Sequence, residues 1–331
     1  MMTYFKALVV RMSEDKQFTR SIEEKKIDDL PEGDVLVRVK YSSLNYKDGL
    51  SCVGTRGITR NYPHTPGVDA AGVIESSASP EFKEGDSVIV TSYDLGMNTS
   101  GGFGQYIRVP SNWVVSLPEG ISLREGMIYG SAGFTAGLAM NSFLNLSLTP
   151  ENGPMVVTGA TGGVGSVAIA ILARLGFKVM ASTGKPKAEK FLKELGASEI
   201  IDREAVNDDS GKALIKQSWA GGVDTVGGNT LSTLIKACNA GGAIATTGNV
   251  ASPELPITVF PFILRGVNLL GIDSQNTPMP LRKKVWEKIA GEWKPQNLEK
   301  IVTECTLDQI DNEIDTILNG GQTGRVLINL Q

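Results

Sequence analysis

Histidine and cysteine are nearly missing from this chain. Its 331 residues include one histidine, His64, and three widely separated cysteines, Cys52, Cys238 and Cys305. Catalytic zinc takes about three Cys, His or carboxylate ligands and structural zinc about four, so the sequence predicts no metal centre. An odd number of cysteines with no C-x-x-C pair also excludes a disulfide framework. No stretch offers the roughly 20 apolar residues of a membrane span. The opening MMTYFKALVVRMSEDK has too short an apolar run for a secretory leader, and no organellar targeting peptide is visible. The expectation is a cytoplasmic protein without a membrane partner. Excess positive charge is lacking too. Against 36 Asp and Glu stand 32 Lys and Arg, a net charge of −4, which argues against a nucleic-acid or anionic-lipid surface.

What is present is ordinary globular material, 41% hydrophobic and 21% charged, in a length that suits two domains. The first part reads as β. Short apolar or alternating runs at Phe5–Val10, Val35–Tyr41, Ala70–Glu75 and Ser87–Thr91 are punctuated by PEGD, TPG, KEGD and LPEG turns. Such spacing suits a barrel-like or sandwich-like β domain. From about Leu123 the pattern alternates between apolar strands and amphipathic helices. Strands are expected at Met155–Thr158, Phe177–Ser182, Ile200–Ile201, Val223–Val226, Gly242–Thr247 and Leu269–Ile272, separated by helices. Six such units imply a doubly wound parallel sheet. The tail offers a helix at Arg282–Glu292, another at Ile310–Leu318 and a last strand at Arg325–Asn329, expected to fold back onto the β domain. The fold class is thus α/β, with a β-barrel-type domain at 1–125, completed by 274–331, and a parallel-sheet domain at 126–273.

The strongest motif is Thr158-Gly159-Ala160-Thr161-Gly162-Gly163-Val164-Gly165, between a strand and a helix. This is the context of a dinucleotide phosphate loop. Gly162 lets the backbone approach a pyrophosphate, Gly165 lets the helix pack close to the strand, and the helix N-terminus offers free N–H groups. Enzymes that use NAD place an acid about 20 residues on, at the end of the second strand. Here that place reads Ser182-Thr183-Gly184-Lys185-Pro186-Lys187. Hydroxyls and cations suit a 2′-phosphate, and Arg203 after the third strand is a second candidate cation. The cofactor expected is NADPH.

Several segments then carry a family resemblance: SSLNYKD at 42–48, RNYPHTPGVDAAG at 60–72, SAGFTA at 131–136, VVTGATGGVGS at 156–166, WAGGVDTVGG at 219–228, PFILRGVNLLGIDS at 261–274 and GRVLI at 324–328. Over essentially its whole length the chain resembles the zinc-independent quinone oxidoreductase branch of the medium-chain dehydrogenases/reductases. It is most similar there to the bacterial acrylyl-CoA reductase group. The resemblance implies a GroES-like β domain with a Rossmann domain, NADPH as hydride donor and a homodimer. Where zinc members carry Gly-His-Glu this chain has Gly67-Val68-Asp69, and the cysteine-rich lobe is missing between Ser92 and Phe103.

The resemblance also implies site residues. Asn45 and Tyr46 would serve the nicotinamide and substrate as catalytic groups, and Thr135 would lie by the nicotinamide ribose or carboxamide. Gly162, Gly163, Val164 and Gly165 would hold the pyrophosphate. Thr183, Gly184, Lys185 and Arg203 would hold the 2′-phosphate end. Asn249, Ile263 and Ser274 would lie along the nicotinamide half, and Arg325 would meet cofactor or substrate. Related enoyl reductases carry a Tyr about ten residues after the Asn, where this chain has Gly54-Thr55-Arg56, so the resemblance assigns no proton donor. Structural alternatives stand beside these roles. Asn45 is also a turn former, Tyr46 a candidate buried aromatic, Ser274 a cap of a chain reversal, and Lys47 with Asp48 a structural ion pair. Arg56 and Arg60 are either surface charges or a grip on a phosphorylated thioester.

The reaction expected is hydride transfer to the C=C bond of an α,β-unsaturated carbonyl, with a short acyl-CoA such as acrylyl-CoA as substrate. Reduction of a quinone or enone is the alternative enzyme, and a non-catalytic NADPH-binding redox sensor the alternative from another class.

Overall fold

The computed structural model describes residues 4–331. They form two compact units. The β unit ends at Ser131 and takes in Gln275–Ala290 and Val302–Gln331; the α/β unit is Ala132–Ser274 with Gly291–Ile301. The tail is therefore shared, a division not foreseen in a boundary at 125 and 274. Its cause is local. Trp293, Leu298 and Ile301 are buried, and Asn297 and Lys300 both reach Glu194, at its carbonyl and its carboxylate.

In the β unit, Val35–Leu44 is the central strand. Its alternating Val35, Val37 and Val39 are fully buried, as a strand with one face in the core requires. It pairs antiparallel with Asp69–Ser77, Arg325–Asn329 and Tyr106–Val109. Ser87–Thr91 and Val114–Ser116 extend the sheet on one side, and Val302–Thr306 extends it beyond Arg325–Asn329 on the other. Two strands of the tail thus belong to this sheet. Tyr4–Met12 and Phe18–Lys26 form a separate antiparallel ribbon. The second of these strands has no counterpart in the sequence expectations, because FTRSIEEKK is mostly polar. Its Arg20 is held by Asp311 and Asp315, partners far away in the chain.

Register places the functional side chains. Tyr41 lies opposite Ala71, so two residues further along Ser43 faces Asp69. Val326 lies opposite Leu44, so one residue further Arg325 faces Asn45. One end of the central strand therefore collects residues from three distant segments.

The α/β unit has a six-stranded parallel sheet in the order Glu199–Ile201, Val179–Ser182, Met155–Val157, Trp219–Asp224, Cys238–Thr246, Asn268–Gly271. This is the doubly wound order, whose direction reverses between Met155–Val157 and Trp219–Asp224. Trp219–Asp224 begins four residues before the expected Val223. Gly221 and Gly222 sit within it because a Cβ at either place would press on neighbouring strands, on the Ala243 carbonyl and on Val156, both at 2.6 Å. One connection lacks the expected helix. Between the third and fourth strands in sequence only the short turn Arg203–Val206 is helical. The rest of that segment is tied by an ion pair from Lys236 to Asp208 and by Arg265, which donates to the Ile215 carbonyl at 2.7 Å.

Candidate active site

Asn45 ends the central strand in an extended conformation (φ −121°, ψ 158°), and the helix Tyr46–Cys52 starts immediately after it. The Asp48 carboxylate folds back to accept the Asn45 N–H at 2.8 Å, and its other oxygen accepts the Val68 N–H at 2.9 Å. Lys47 turns away and donates to Gln275 Oε1 at 3.0 Å, so the expected Lys47–Asp48 ion pair does not form. The need to satisfy two backbone N–H groups beside a strand end decides the partner.

The Asn45 side chain is gripped at both ends. Its Nδ2 donates to Asp69 Oδ2 at 2.7 Å, with Asp48 Oδ2 and the Ser43 carbonyl each at 3.3 Å. Its Oδ1 accepts from Arg325 Nη1 at 3.1 Å. Arg325 also donates to the Leu44 and Ile128 carbonyls and to Ser43 Oγ, and lies 3.6 Å from Asp69 Oδ2. Its side chain is 3% exposed. The guanidinium is thus spent on the interior, and it meets Asn45 rather than the solvent in which a ligand arrives. Asp69, fully buried, also accepts from Ser43 Oγ at 2.7 Å and from the Ser131 N–H and hydroxyl, the latter at 2.5 Å.

Gly130 makes that last contact possible. It breaks the helix Leu123–Asn145 with φ 51° and ψ −156°, and the break turns the Ser131 N–H onto Asp69. A Cβ at residue 130 would overlap the Asp69 carboxylate and the Ser43 hydroxyl, so only glycine fits. Asp48 and Asp69 are both fully buried and are joined through the Asn45 amide, and Arg325 lies against Asp69. Burial, and then the Asp69 charge, push the Asp48 carboxyl up to about 7. Tyr46 points the other way. It is 44% exposed and is not the buried aromatic of the structural alternative.

In the α/β unit the phosphate loop lies at the carboxyl end of Met155–Val157, beside the reversal point of the sheet. Gly159 has φ 55°. A Cβ at Gly165 would overlap the Gly159 carbonyl oxygen, so the helix Gly163–Arg174 packs as close as the motif predicts. The loop is braced from the fourth strand in sequence. Buried Asp224 accepts from Thr158 Oγ1 at 2.6 Å and from the Gly227 N–H at 2.8 Å, and Thr225 Oγ1 donates to the Thr158 carbonyl at 3.2 Å. Asp224 and Thr225 lie in the segment WAGGVDTVGG, but the sequence assigns them no site role. Their place at the end of the adjoining strand is the signal that could have found them. Asn249 follows Cys238–Thr246 and is exposed. Its Cα would lie 3.1 Å from a Cβ at Gly227.

Thr183, Gly184, Lys185 and Arg203 come together. Thr183 Oγ1 accepts the Lys185 N–H at 3.1 Å. Any Cβ at Gly184 would overlap the Arg203 side chain, so the glycine makes room for the guanidinium. Burial, and then Arg203, hold the Lys185 ammonium below its ordinary value. Two crowded cations, one after the second strand and one after the third, match the needs of a phosphate dianion. Thr135 is buried on Leu123–Asn145, and Ser274 is partly exposed at the end of the unit's main segment. Ile263 is 67% exposed, among exposed Val259, Phe260 and Leu264. That is an apolar surface rather than a polar cradle.

Two family models match this arrangement. Residues 31–119 match the alcohol dehydrogenase GroES-like domain and 163–291 the zinc-binding dehydrogenase domain. An acrylyl-CoA reductase, AcuI, of Ruegeria pomeroyi is 43% identical over 328 residues, covering 98% of this chain and 99% of the relative. The chain belongs to the medium-chain dehydrogenase/reductase family. Within it, this is an oxidoreductase of the quinone oxidoreductase/acrylyl-CoA reductase group, with a GroES-like unit and a Rossmann-type unit. A crystal structure of the YhdH oxidoreductase of Salmonella enterica in complex with NADP has a TM-score of 0.96 at 39% identity, covering 98% of this chain and all of that one. Bacillus subtilis YhfP with NAD bound has 0.97 at 46%, covering 99% and 100%.

The zinc in one model's description does not fit these residues. Among the described residues no three His, Cys, Asp or Glu side chains stand together for a metal. Asp69 is saturated by hydrogen-bond donors and faces a guanidinium. His64 is buried with Nε2 at 2.9 Å from the Gly96 carbonyl. No helix among the described residues is long and apolar enough to cross a membrane.

The raised Asp48 carboxyl has a measurable consequence. The folded state holds that proton up to about pH 7, whereas the unfolded chain releases it near 3.8. Folded stability therefore falls as pH rises through this window. Urea unfolding from pH 5 to 8 is expected to show wild type losing stability relative to Asp48→Asn. Parallel curves for the two proteins would show that Asp48 is ionised throughout.

Proposed function

We propose that this chain is a cytoplasmic, homodimeric NADPH-dependent reductase of the C=C bond of an α,β-unsaturated carbonyl, with a short acyl-CoA such as acrylyl-CoA as its substrate. The observation that carries this reading is the donor set of the β unit. The place that holds a ligand in zinc members is occupied by a closed carboxylate–amide–guanidinium cluster, so a carbonyl must be polarised by hydrogen-bond donors. The exposed Tyr46 hydroxyl is such a donor. The acrylyl-CoA reductase of Ruegeria, similar over its whole length, supports the substrate class.

When bound, NADPH supplies the hydride, which goes to the β-carbon of the substrate. Gly162, Gly163, Val164 and Gly165 hold its pyrophosphate through N–H groups at a helix start. Thr183, Gly184, Lys185 and Arg203 hold the 2′-phosphate, and Thr135, Asn249, Ile263 and Ser274 line the nicotinamide half. Tyr46 donates to the carbonyl oxygen as negative charge develops there. Asn45, held by Asp69 and Arg325, fixes the start of the Tyr46 helix. In this reading Asn45 and Arg325 are positioning residues. The α-carbon takes its proton from water or from a side chain.

The direct test follows loss of nicotinamide absorbance with acrylyl-CoA, crotonyl-CoA and a benzoquinone side by side. The reading expects kcat/KM for acrylyl-CoA to exceed that for the quinone by at least about 100-fold, the scale of strong substrate discrimination. A faster quinone would make the chain a quinone reductase. Cofactor binding without turnover of any acceptor would make it a redox sensor.

Cofactor choice is tested separately. Charged hydrogen bonds contribute about 1.5–3 kcal/mol each, so Lys185→Ala with Arg203→Ala is expected to raise KM for NADPH about 100-fold while KM for NADH changes little. Equal losses on the two cofactors would remove the 2′-phosphate role. The Bacillus relative crystallised with NAD makes this comparison informative.

The homodimer is supported by the last strand of the parallel sheet. Among the described residues Asn268–Gly271 pairs on one side only, and exposed Val259, Phe260 and Leu264 precede it. An unpaired edge beside an apolar surface invites a second copy. Light scattering is expected to give twice the chain mass for wild type and a single chain for Leu264→Glu. A monomeric wild type sinks the proposal.

A further inference from the structure

We propose that the turn Thr55–Ile58, together with Arg60, is the subsite for the phosphates of a coenzyme A thioester. This rests on the acyl-CoA reading and adds the element that recognises the carrier.

The first observation is charge. The chain carries 36 acids in 331 residues and a net charge of −4, yet no acid lies between Gly49 and Val68, where Arg56 and Arg60 stand. Both arginines are exposed, and neither forms an ion pair with another described residue. Exposed guanidiniums in an acid-free stretch are suited to bidentate contact with phosphate oxygens.

The second observation is rigidity. The Ile58 N–H donates to the Thr55 carbonyl at 3.3 Å, and Gly57 has φ 89°. Arg56 thus occupies the second position of a tight turn whose third position needs the left-handed freedom of glycine. A Cβ at Gly57 would meet nothing within 4 Å, so the outside of the turn is open. The inside is anchored. The Thr55 N–H donates to the Leu50 carbonyl at 3.0 Å, buried Thr59 shares a 2.7 Å hydroxyl contact with Ser51, and the Arg60 N–H donates to Asn98 Oδ1 at 3.3 Å. Guanidiniums on an ordered backbone bind an anion with little further loss of main-chain freedom.

The third observation is order along one element. The seven-residue helix Tyr46–Cys52, about 10 Å long at 1.5 Å per residue, starts at the exposed Tyr46 hydroxyl. It ends at Val53, 45% exposed, and then at the basic turn. Tyr46, exposed Val53 and the two exposed arginines follow in sequence. A coenzyme A thioester has parts in a similar order: a polarisable carbonyl, a pantetheine arm of two amides and a dimethyl group, and phosphates. A quinone has no group that uses the cations.

The test compares acrylyl-CoA with the acrylyl thioester of pantetheine, which lacks every phosphate. In Arg56→Ala/Arg60→Ala the ratio of kcat/KM for the CoA thioester to that for the pantetheine thioester is expected to fall about 10- to 100-fold. The loss should reside in KM, be largely restored by Arg56→Lys/Arg60→Lys, and shrink at high ionic strength. A ratio within threefold of wild type overturns the subsite. If wild type reduces neither thioester, the reductase reading fails by itself. Calorimetry with coenzyme A then decides the subsite: binding that the double variant loses sustains it, and no binding to wild type overturns it.

Discussion

A guanidinium and a carboxylate shut away from water, Arg325 and Asp69, set the local structure of the β unit. Leaving either without the other would cost about 3–5 kcal/mol. That penalty fixes everything in contact with the pair. The Asn45 amide lies between them and can point only one way, since its oxygen must face Arg325 and its nitrogen Asp69. With the amide fixed, the start of the helix Tyr46–Cys52 is fixed, and with it the direction of Tyr46. The break at Gly130 belongs to the same arrangement, because it supplies the Ser131 donors that complete the Asp69 shell.

The α/β unit solves a different problem by similar means. A loop that leaves its N–H groups for a ligand has to be held from behind. Asp224 and Thr225 do this from the neighbouring strand, through Thr158. The glycines in front remove side chains where backbone approaches backbone, and at Gly184 where a guanidinium lies. At these places three carboxylates, Asp48, Asp69 and Asp224, are buried as braces, while Tyr46 and Arg203 are exposed. That division of labour suits ligands that are anionic or become so during reaction.

Much of this is readable from residues alone where the determining contacts are local. Ser87–Thr91, Ile310–Leu318 and Arg325–Asn329 are legible to the residue, because apolar period and turn chemistry agree there. The turn at 158–165 is legible because its glycines answer constraints within a few residues. Phe18–Lys26 is not, since its alternation is carried partly by Arg20, whose acid partners stand about 290 positions away. Nor is the interior post of Arg325, which depends on a register between the central strand and the tail. Asp48 and Asp69 look like ordinary acids in the sequence. Only the fold shows both to be buried and joined through the Asn45 amide.

The 280-residue separation between Asn45 and Arg325 bears on how the molecule is made. The α/β unit draws almost wholly on one contiguous stretch, Ala132–Ser274, and its strands can find one another as they are synthesised. The β unit is assembled from segments that lie on both sides of that stretch. Asp69 has no counter-ion until residue 325 has been translated. Synthesis therefore imposes a sequence of events: the α/β unit can mature on the ribosome, while the β unit waits, Asp48 and Asp69 still in water, for Arg325–Asn329 to arrive.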